Sequence, residues 1–466
     1  MKYRKDKVED ITIAYIGGGS NGWGWTLIGD LAIEERLSGN IRLYDIDYDA
    51  SCNNEIIGNM ISKKDEAKGK WKYNAVKSLK EALTGVDFVL ISILPGTFDE
   101  MESDVHLPEK YGIYQSVGDT VGPGGIIRAL RTIPMFVEIT EAIKKYSPNA
   151  WVINFTNPMS ICVKTLYQVF PEIHAYGCCH EVFHTQQLLI DMLKDMKNIT
   201  GIKREDIKVN ILGINHFTWL DEATYQGIDL ISLYEKFVDK YYKEGFTKGD
   251  SNFWINSSYW DSVEKVKFDL FKRYGLIAAA GDRHLAEFVP SSWYLKDPKT
   301  VEKWGFHLTP VSWRKTNQKE LKEKAQRLVN GKEEFEIEPS GEEGVRQMKA
   351  ILGLEDLITN VNLPNKGQLT DFPKNVIVET NALFRKNSVK PITAGSFSKE
   401  IHNMEMTHVL NQETVVEAVL NEDIEKVFRA FLNDPLVIGA SLDRNDAREL
   451  FDNMVKNTKK YIPWIK

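Results

Sequence analysis

A doubly wound α/β fold, a parallel sheet with helices on both faces, is predicted by three features of this sequence. An apolar β-type run breaks into a glycine cluster and then into a helical pattern over residues 11–32. A second apolar run ends on an acid, Asp45, 23 residues beyond Gly22. From residue 11 to about 215, short apolar runs keep alternating with amphipathic stretches, as strands joined by helical crossovers do.

In ITIAYIGGGSNG (Ile11–Gly22), Gly17, Gly19 and Gly22 fall in the G-x-G-x-x-G spacing, and Leu27, Ile28 and Leu31 follow at helical spacing. Glycines there let the backbone approach a pyrophosphate, whose charge the amides and dipole of the next helix stabilise. This is a Rossmann-type turn of the kind found in lactate and malate dehydrogenases, and Gly17, Gly19, Ser20 and Gly22 are the candidate cofactor contacts. Asp45 closes the strand Ile41–Tyr44 and can accept from an adenosine ribose, which favours NAD over NADP. Further strands are expected at Phe88–Ile93, Trp151–Asn154, Ala175–Gly177 and Val209–Leu212, with helices around Ile133–Ile143 and Thr185–Leu193. Ligands of such a sheet lie beyond the carboxyl ends of its strands. Pro95-Gly96, Asn157-Pro158, Cys178-Cys179-His180 and Asn215-His216 stand at those places.

A chain of 466 residues exceeds one ordinary core. The division expected is a NAD-binding Rossmann domain over 1–200 and an α+β domain over 201–466 for substrate, metal and oligomerisation. The second part holds an aromatic-rich stretch (Phe253–Trp260), helical stretches (Lys319–Val329, Glu342–Leu357, Glu413–Phe431) and a strand-like Asn375–Thr380. With no internal repeat, low-complexity tract or flexible linker, it should pack closely on the first. Apolar residues make up 42% and charged residues 27%, as in soluble globular proteins, and the net charge is −7 without a Lys/Arg block, which argues against nucleic acid. No apolar run approaches membrane-spanning length and none follows the basic amino terminus, so a cytoplasmic protein away from membranes is expected. Four cysteines do not make a disulfide framework in a chain this long.

Cys179 and His216 each end a predicted strand. A thiolate and an imidazole suit a borderline divalent transition metal and leave positions open for substrate. On residue type alone, both also fit an ordinary core. The Asn157 amide can meet a sugar hydroxyl or serve an Asn-Pro turn. Asp119 sits in the glycine-dense Gly118–Gly125, which can approach a ligand or simply turn. Asp282, Arg283 and His284 offer a base, a fixed cation and a titratable ring, or a solvated loop.

Taken in order, GGGSNGW, LYDID, VGDTVGPGGIIRALRTIP, NFTNPMS, GCCHE, GINHFTW and VNLPNKGQ resemble glycoside hydrolase family four, the NAD- and divalent-metal-dependent glycosidases, across nearly the whole chain. Within that family the stretch ILPGTFDEME and its neighbours are most similar to members that cleave α-galacturonides. The resemblance implies C3 oxidation by NAD, C2 deprotonation, elimination of the aglycone, water addition and re-reduction, with Mn²⁺ or another divalent metal as Lewis acid. It assigns Cys179 and His216 to the metal and Asn157 to the substrate, His180 to protonating the leaving oxygen, and Asp119 to tuning a base, for which Asp282 is the nominee. Phosphosugar-specific members carry an arginine where Met101 stands here between Glu100 and Glu102, and two acids would repel a phosphate dianion. A small α-linked uronide is therefore expected as substrate, its carboxylate met by Arg128, Arg283 or His284, or by Arg131 unless that residue serves the structure instead. The family also implies a homo-oligomer, dimer or tetramer. Alternatives are an α-glucuronidase or a neutral α-glucosidase or α-galactosidase of the same family and, from other classes, a NAD-dependent hydroxy-acid dehydrogenase or a catalytically silent NAD-binding sensor.

Overall fold

The computed structural model describes residues 1–247 and 259–465. In chain order its strands are β1 (Lys2–Arg4), β2 (Lys7–Ile16), β3 (Leu37–Tyr44), β4 (Lys70–Val76), β5 (Phe88–Ile91), β6 (Trp151–Asn154) and β7 (His174–Gly177). There follow β8 (Lys208–Ile214), β9 (Phe217–Tyr225), β10 (Ile228–Asp229) and β11 (Ile277–Ala278), then β12 (Leu357–Pro364), β13 (Ile377–Arg385) and β14 (Ser388–Pro391).

Six strands pair in parallel in the order β4-β3-β2-β5-β6-β7. That is the 3-2-1-4-5-6 order of a dinucleotide-binding sheet, reversing direction between β2 and β5. Helices cover both faces, so β5 (Phe-Val-Leu-Ile) is buried at every position and reads as a continuous apolar run rather than an alternation. The sheet takes strands from both sides of residue 200: β12, β13 and β14 add antiparallel beyond β7, with Asn362 paired to Gly177.

Several sequence expectations need correcting. The expected helix over Glu413–Phe431 is parts of two helices, Lys399–Leu420 and Ile424–Leu432, parted where Glu422 takes φ 57°. Val209–Leu212 lies in β8, which does not join the large sheet but pairs antiparallel with β9 in a smaller one with β10 and β11. The cause is the two-residue connection Asn215-His216, where His216 takes φ 66° and folds the chain straight back; a parallel neighbour needs a long crossover. The expected helix over Glu342–Leu357 runs only from Gly344 to Ile351, because Gly353 at φ 80° breaks it and Leu357 opens β12. β4, a polar-alternating edge strand, was not among the expected strands. Of the aromatic-rich stretch Phe253–Trp260, residues 253–258 lie outside the described residues.

Among the described residues no helix is long and apolar enough to cross a membrane.

Candidate active site

The glycine turn leaves the parallel sheet at β2 and enters the helix Trp23–Ile33. A Cβ on Gly17 would stand 2.0 Å from the Ser92 carbonyl oxygen, and its φ is 95°, so only glycine fits there. A Cβ on Gly22 would meet nothing within 4 Å, and the helix that Gly22 caps receives no side-chain cap. Open space over uncapped helix amides is what a pyrophosphate requires. The Asp45 carboxylate accepts from the amides of Gly19 and Asp47, each at 3.0 Å, and so ties the turn to the end of β3. A carboxylate has further lone pairs for a ribose hydroxyl. These residues fit a dinucleotide.

Asp119, His216 and His284 come from three separate elements: the loop before the helix Gly122–Tyr146, the β8–β9 turn, and the short helix Asp282–Leu285. One ligand atom from each lies within 4.8 Å of the others. Although burial raises its pKa, the Arg128 guanidinium and then His284 bring Asp119 down to about 2, so it is a carboxylate. Burial, with His284 beside it, lowers His216 to about 3, so its ring is neutral. The Thr120 hydroxyl donates to Asp119 Oδ1 at 2.7 Å and lies 2.9 Å from His216 Nδ1. With its one proton spent on Asp119, it can only accept from His216. His216 therefore carries its proton on Nδ1 and presents the Nε2 lone pair, the form a metal requires. An anionic oxygen and a neutral imidazole fit a divalent transition cation, which His284, raised against burial by the Glu181 beside it, would join on giving up its proton.

Cys179 follows β7 and is buried with Met159, Val163 and Ile377. Burial, then Glu379 and Glu181, push its thiol well above the usual range, while the Asn215 side chain hydrogen-bonds to it. Such a thiol keeps its proton unless a bound cation takes the proton's place on sulfur. Asn215 also donates to Glu379 at 3.1 Å, and Asn360 donates both to Glu379 at 2.6 Å and to the Cys179 carbonyl at 3.0 Å. Strands β12 and β13 thus hold Cys179 against the residue preceding His216. Glu181 accepts from the Gly281 amide at 2.9 Å and faces His284 Nε2 at 3.5 Å, fixing the third element.

His180 Nδ1 lies 3.0 Å from Glu342, and although burial works against it, Glu342 and Glu181 raise the ring to about 9. It is an imidazolium near neutrality. Among the described residues the Asn157 Oδ1 is buried without a partner. Arg128 Nε donates to the Asn157 carbonyl at 3.0 Å. Arg283 donates to the carbonyls of His307 and Ser116 and to Thr309, with Nη1 left unpartnered. Glu287 accepts from the amides of Val117 and Gly118, steadying the loop that carries Asp119.

A family 4 glycosyl hydrolase model matches residues 12–195, and the C-terminal domain model of the same family matches residues 211–437. The chain belongs to the family 4 glycosyl hydrolases. It is 60% identical to an alpha-galacturonidase of Thermoanaerobacterium saccharolyticum, covering 99% of this chain and 98% of the relative. It is 51% identical to an alpha-galacturonidase of Bacillus subtilis, covering 96% and 98%. A solved Bacillus subtilis structure superposes with a TM-score of 0.91 at 51% identity over 96% of this chain and all of the other. A 6-phospho-alpha-glucosidase from gut microorganisms, solved with NAD and Mn²⁺, shares the fold with a TM-score of 0.81 at 19% identity, covering 98% of this chain and all of the other.

Of the two residues expected to hold the metal, His216 stands with Asp119 and His284 in a group that could hold an ion, whereas Cys179 is not one of that group and hydrogen-bonds to Asn215, the residue before His216. Asp282 is not one of that group. Its oxygens accept from the amides of Val266 and Lys267, both at 3.1 Å, at the start of the helix Lys265–Tyr274, and burial with Glu264 raises its pKa to about 7. Arg131 is no candidate for a substrate carboxylate: fully buried, it pairs with both oxygens of Asp104 and donates to the Pro95 carbonyl. The acids flanking Met101 are also committed, Glu100 to Thr97 and Lys460 and Glu102 to Lys315, so repulsion of a phosphate does not rest on free charges there. Thr120, Glu181, Glu287 and Glu342 were not singled out from sequence. Glu181 ends GCCHE and Thr120 follows Asp119, so adjacency was the only signal for either.

Proposed function

We propose that this family 4 chain is a NAD- and Mn²⁺-dependent α-galacturonidase that releases galacturonate from small α-linked galacturonides. The observation that carries the reading is the 60% identity to an alpha-galacturonidase over nearly the full length of both chains. The site agrees with it, since Arg128 and Arg283 border Asp119 and His284 and suit an anionic sugar.

When bound, NAD accepts and returns a hydride and the divalent cation polarises a carbonyl oxygen. Gly17, Gly19, Ser20, Gly22 and Asp45 would hold the dinucleotide. His216, Asp119 and His284, with Cys179 beside them, would hold the cation. Asn157 offers its buried, unpartnered amide oxygen to a sugar hydroxyl. His180, an imidazolium until about pH 9, donates its proton to the leaving glycosidic oxygen. Asp282, raised to about 7, takes the C2 proton, and Asp119 tunes the charge around it. The four thiols are free, which suits the cytoplasm; a cytoplasmic homo-oligomer is part of the same proposal.

The test is a substrate panel assayed with NAD⁺, Mn²⁺ and a thiol reductant: α-linked digalacturonide and the 4-nitrophenyl α-glycosides of galactose, glucose and glucuronate. The expected outcome is cleavage of the digalacturonide at the highest kcat/KM without net NADH. Preference for a neutral glycoside or for the glucuronide overturns the substrate assignment, and steady NADH production from a hydroxy acid overturns the reaction class.

A further inference from the structure

Arg314 stands in the first turn of the helix Val311–Val329, whose first amide, that of Val311, donates to His106 Nε2 at 3.1 Å. Its Nε and Nη2 are closed off from water and have no hydrogen-bond partner among the described residues. These two nitrogens are neighbours on one edge of the guanidinium, the fork that grips a carboxylate with two parallel hydrogen bonds. Leaving a guanidinium edge buried and unpaired is costly, so the arrangement is built for a ligand that completes it. The other guanidiniums nearby are more heavily committed. Arg128 is spent at Nε on the Asn157 carbonyl, and Arg283 at Nε and Nη2 on the His307 and Ser116 carbonyls and Thr309.

The position of Arg314 links it to the site. Its guanidinium lies 4.8 Å from the Trp260 ring centroid, and that of Arg283, the residue next to His284, lies 4.5 Å from the same ring. Arg283 is bonded in turn to Ser116, on the loop leading to Asp119.

Resting on the galacturonidase reading above, we propose that the Nε/Nη2 edge of Arg314, steadied by Trp260, receives the carboxylate of the uronate substrate and sets the preference for a uronate over its neutral counterpart. Arg314 is then a binding residue for the substrate rather than a helix-surface cation.

The experiment compares wild type, Arg314→Gln and Arg314→Lys as NAD⁺- and Mn²⁺-loaded enzymes on digalacturonide and on 4-nitrophenyl α-galactoside, with galacturonate binding followed by calorimetry. For Arg314→Gln the expected result is a fall of about 100-fold in kcat/KM on the galacturonide, mostly through KM, with the galactoside changed less than about threefold. Arg314→Lys, which keeps the charge and loses the fork, should lie between, with galacturonate binding weakened about tenfold. Equal losses on both substrates, or a galacturonide preference and galacturonate affinity retained in Arg314→Gln, overturn the assignment while leaving the function intact. Wild-type enzyme that cleaves the galactoside faster overturns the function and the assignment together. Should Arg314→Gln not fold, Arg314→Lys with unchanged galacturonate affinity overturns the assignment by itself.

Discussion

A single hydroxyl at Thr120 decides what His216 can bind. Because it gives its proton to Asp119 and accepts from His216 Nδ1, it sets the tautomer and ring orientation at once. Thr120→Val should weaken Mn²⁺ binding about tenfold in calorimetry with little change in NAD⁺ affinity; unchanged Mn²⁺ binding would mean the ring orients itself. Asp282 has two readings that one variant separates. If it is the C2 base, Asp282→Asn should abolish solvent exchange at C2 while NAD⁺ and Mn²⁺ still bind; if it only anchors the helix Lys265–Tyr274 through Val266 and Lys267, the variant should lose thermal stability and retain exchange. At this scale the places of His216 and Asn157 beyond β8 and β6 were legible because periodicity marks those strands. For Arg131 sequence left a substrate and a structural role open, since it does not show that Asp104 and the Pro95 carbonyl claim its donors.

The glycine turn is the element most fully written in the sequence, since strand, turn, helix and acid are all local. Its demands differ by position: Gly17 must have no Cβ, whereas Gly22 has room for one and derives its value from what that room receives. Gly22→Asp should therefore leave thermal stability without NAD⁺ within about 1 kcal/mol of wild type, yet weaken NAD⁺ at least about tenfold by setting a carboxylate where a pyrophosphate would lie. Fluorescence titration with NAD⁺ checks it, and undiminished affinity would move the cofactor elsewhere. The β8–β9 hairpin was not legible, because an apolar run of that length reads alike in a parallel or an antiparallel sheet. What decides is the φ of 66° at His216, and that same turn brings the imidazole to Asp119 and His284.

Across the whole molecule the two halves of the chain are interleaved rather than joined end to end. β12 and β13 extend the dinucleotide-binding sheet and carry Asn360 and Glu379 under Cys179 and Asn215. No local pattern shows that residues 357–391 return to a sheet begun at residue 7, which is why the fold class was readable and this extension was not. The same interleaving buries titratable groups between elements. His408, on the helix Lys399–Leu420, donates from Nε2 to the Phe288 carbonyl at 2.7 Å, and burial lowers its pKa to about 4. Folded, it stays neutral where the unfolded chain would take up a proton, so its stabilising contribution is complete above about pH 6.5 and is lost as pH falls through about 4. The loss is of order 3 kcal/mol. In urea unfolding of the metal-free protein between pH 4 and 7, His408→Gln should flatten the pH dependence by up to about 1.4 kcal/mol per pH unit; an unaltered slope would show that His408 does not titrate on unfolding.

Glycoside cleavage with temporary oxidation at C3 has a signature that direct displacement by water lacks: the hydrogen on C2 is exchanged with solvent. Digalacturonide should be hydrolysed in D₂O by the NAD⁺- and Mn²⁺-loaded enzyme and the released galacturonate read by NMR. The account predicts deuterium at C2 of the sugar released from the cleaved bond, and no cleavage by protein stripped of dinucleotide. Full retention of protium at C2, or undiminished cleavage by the stripped protein, would contradict it.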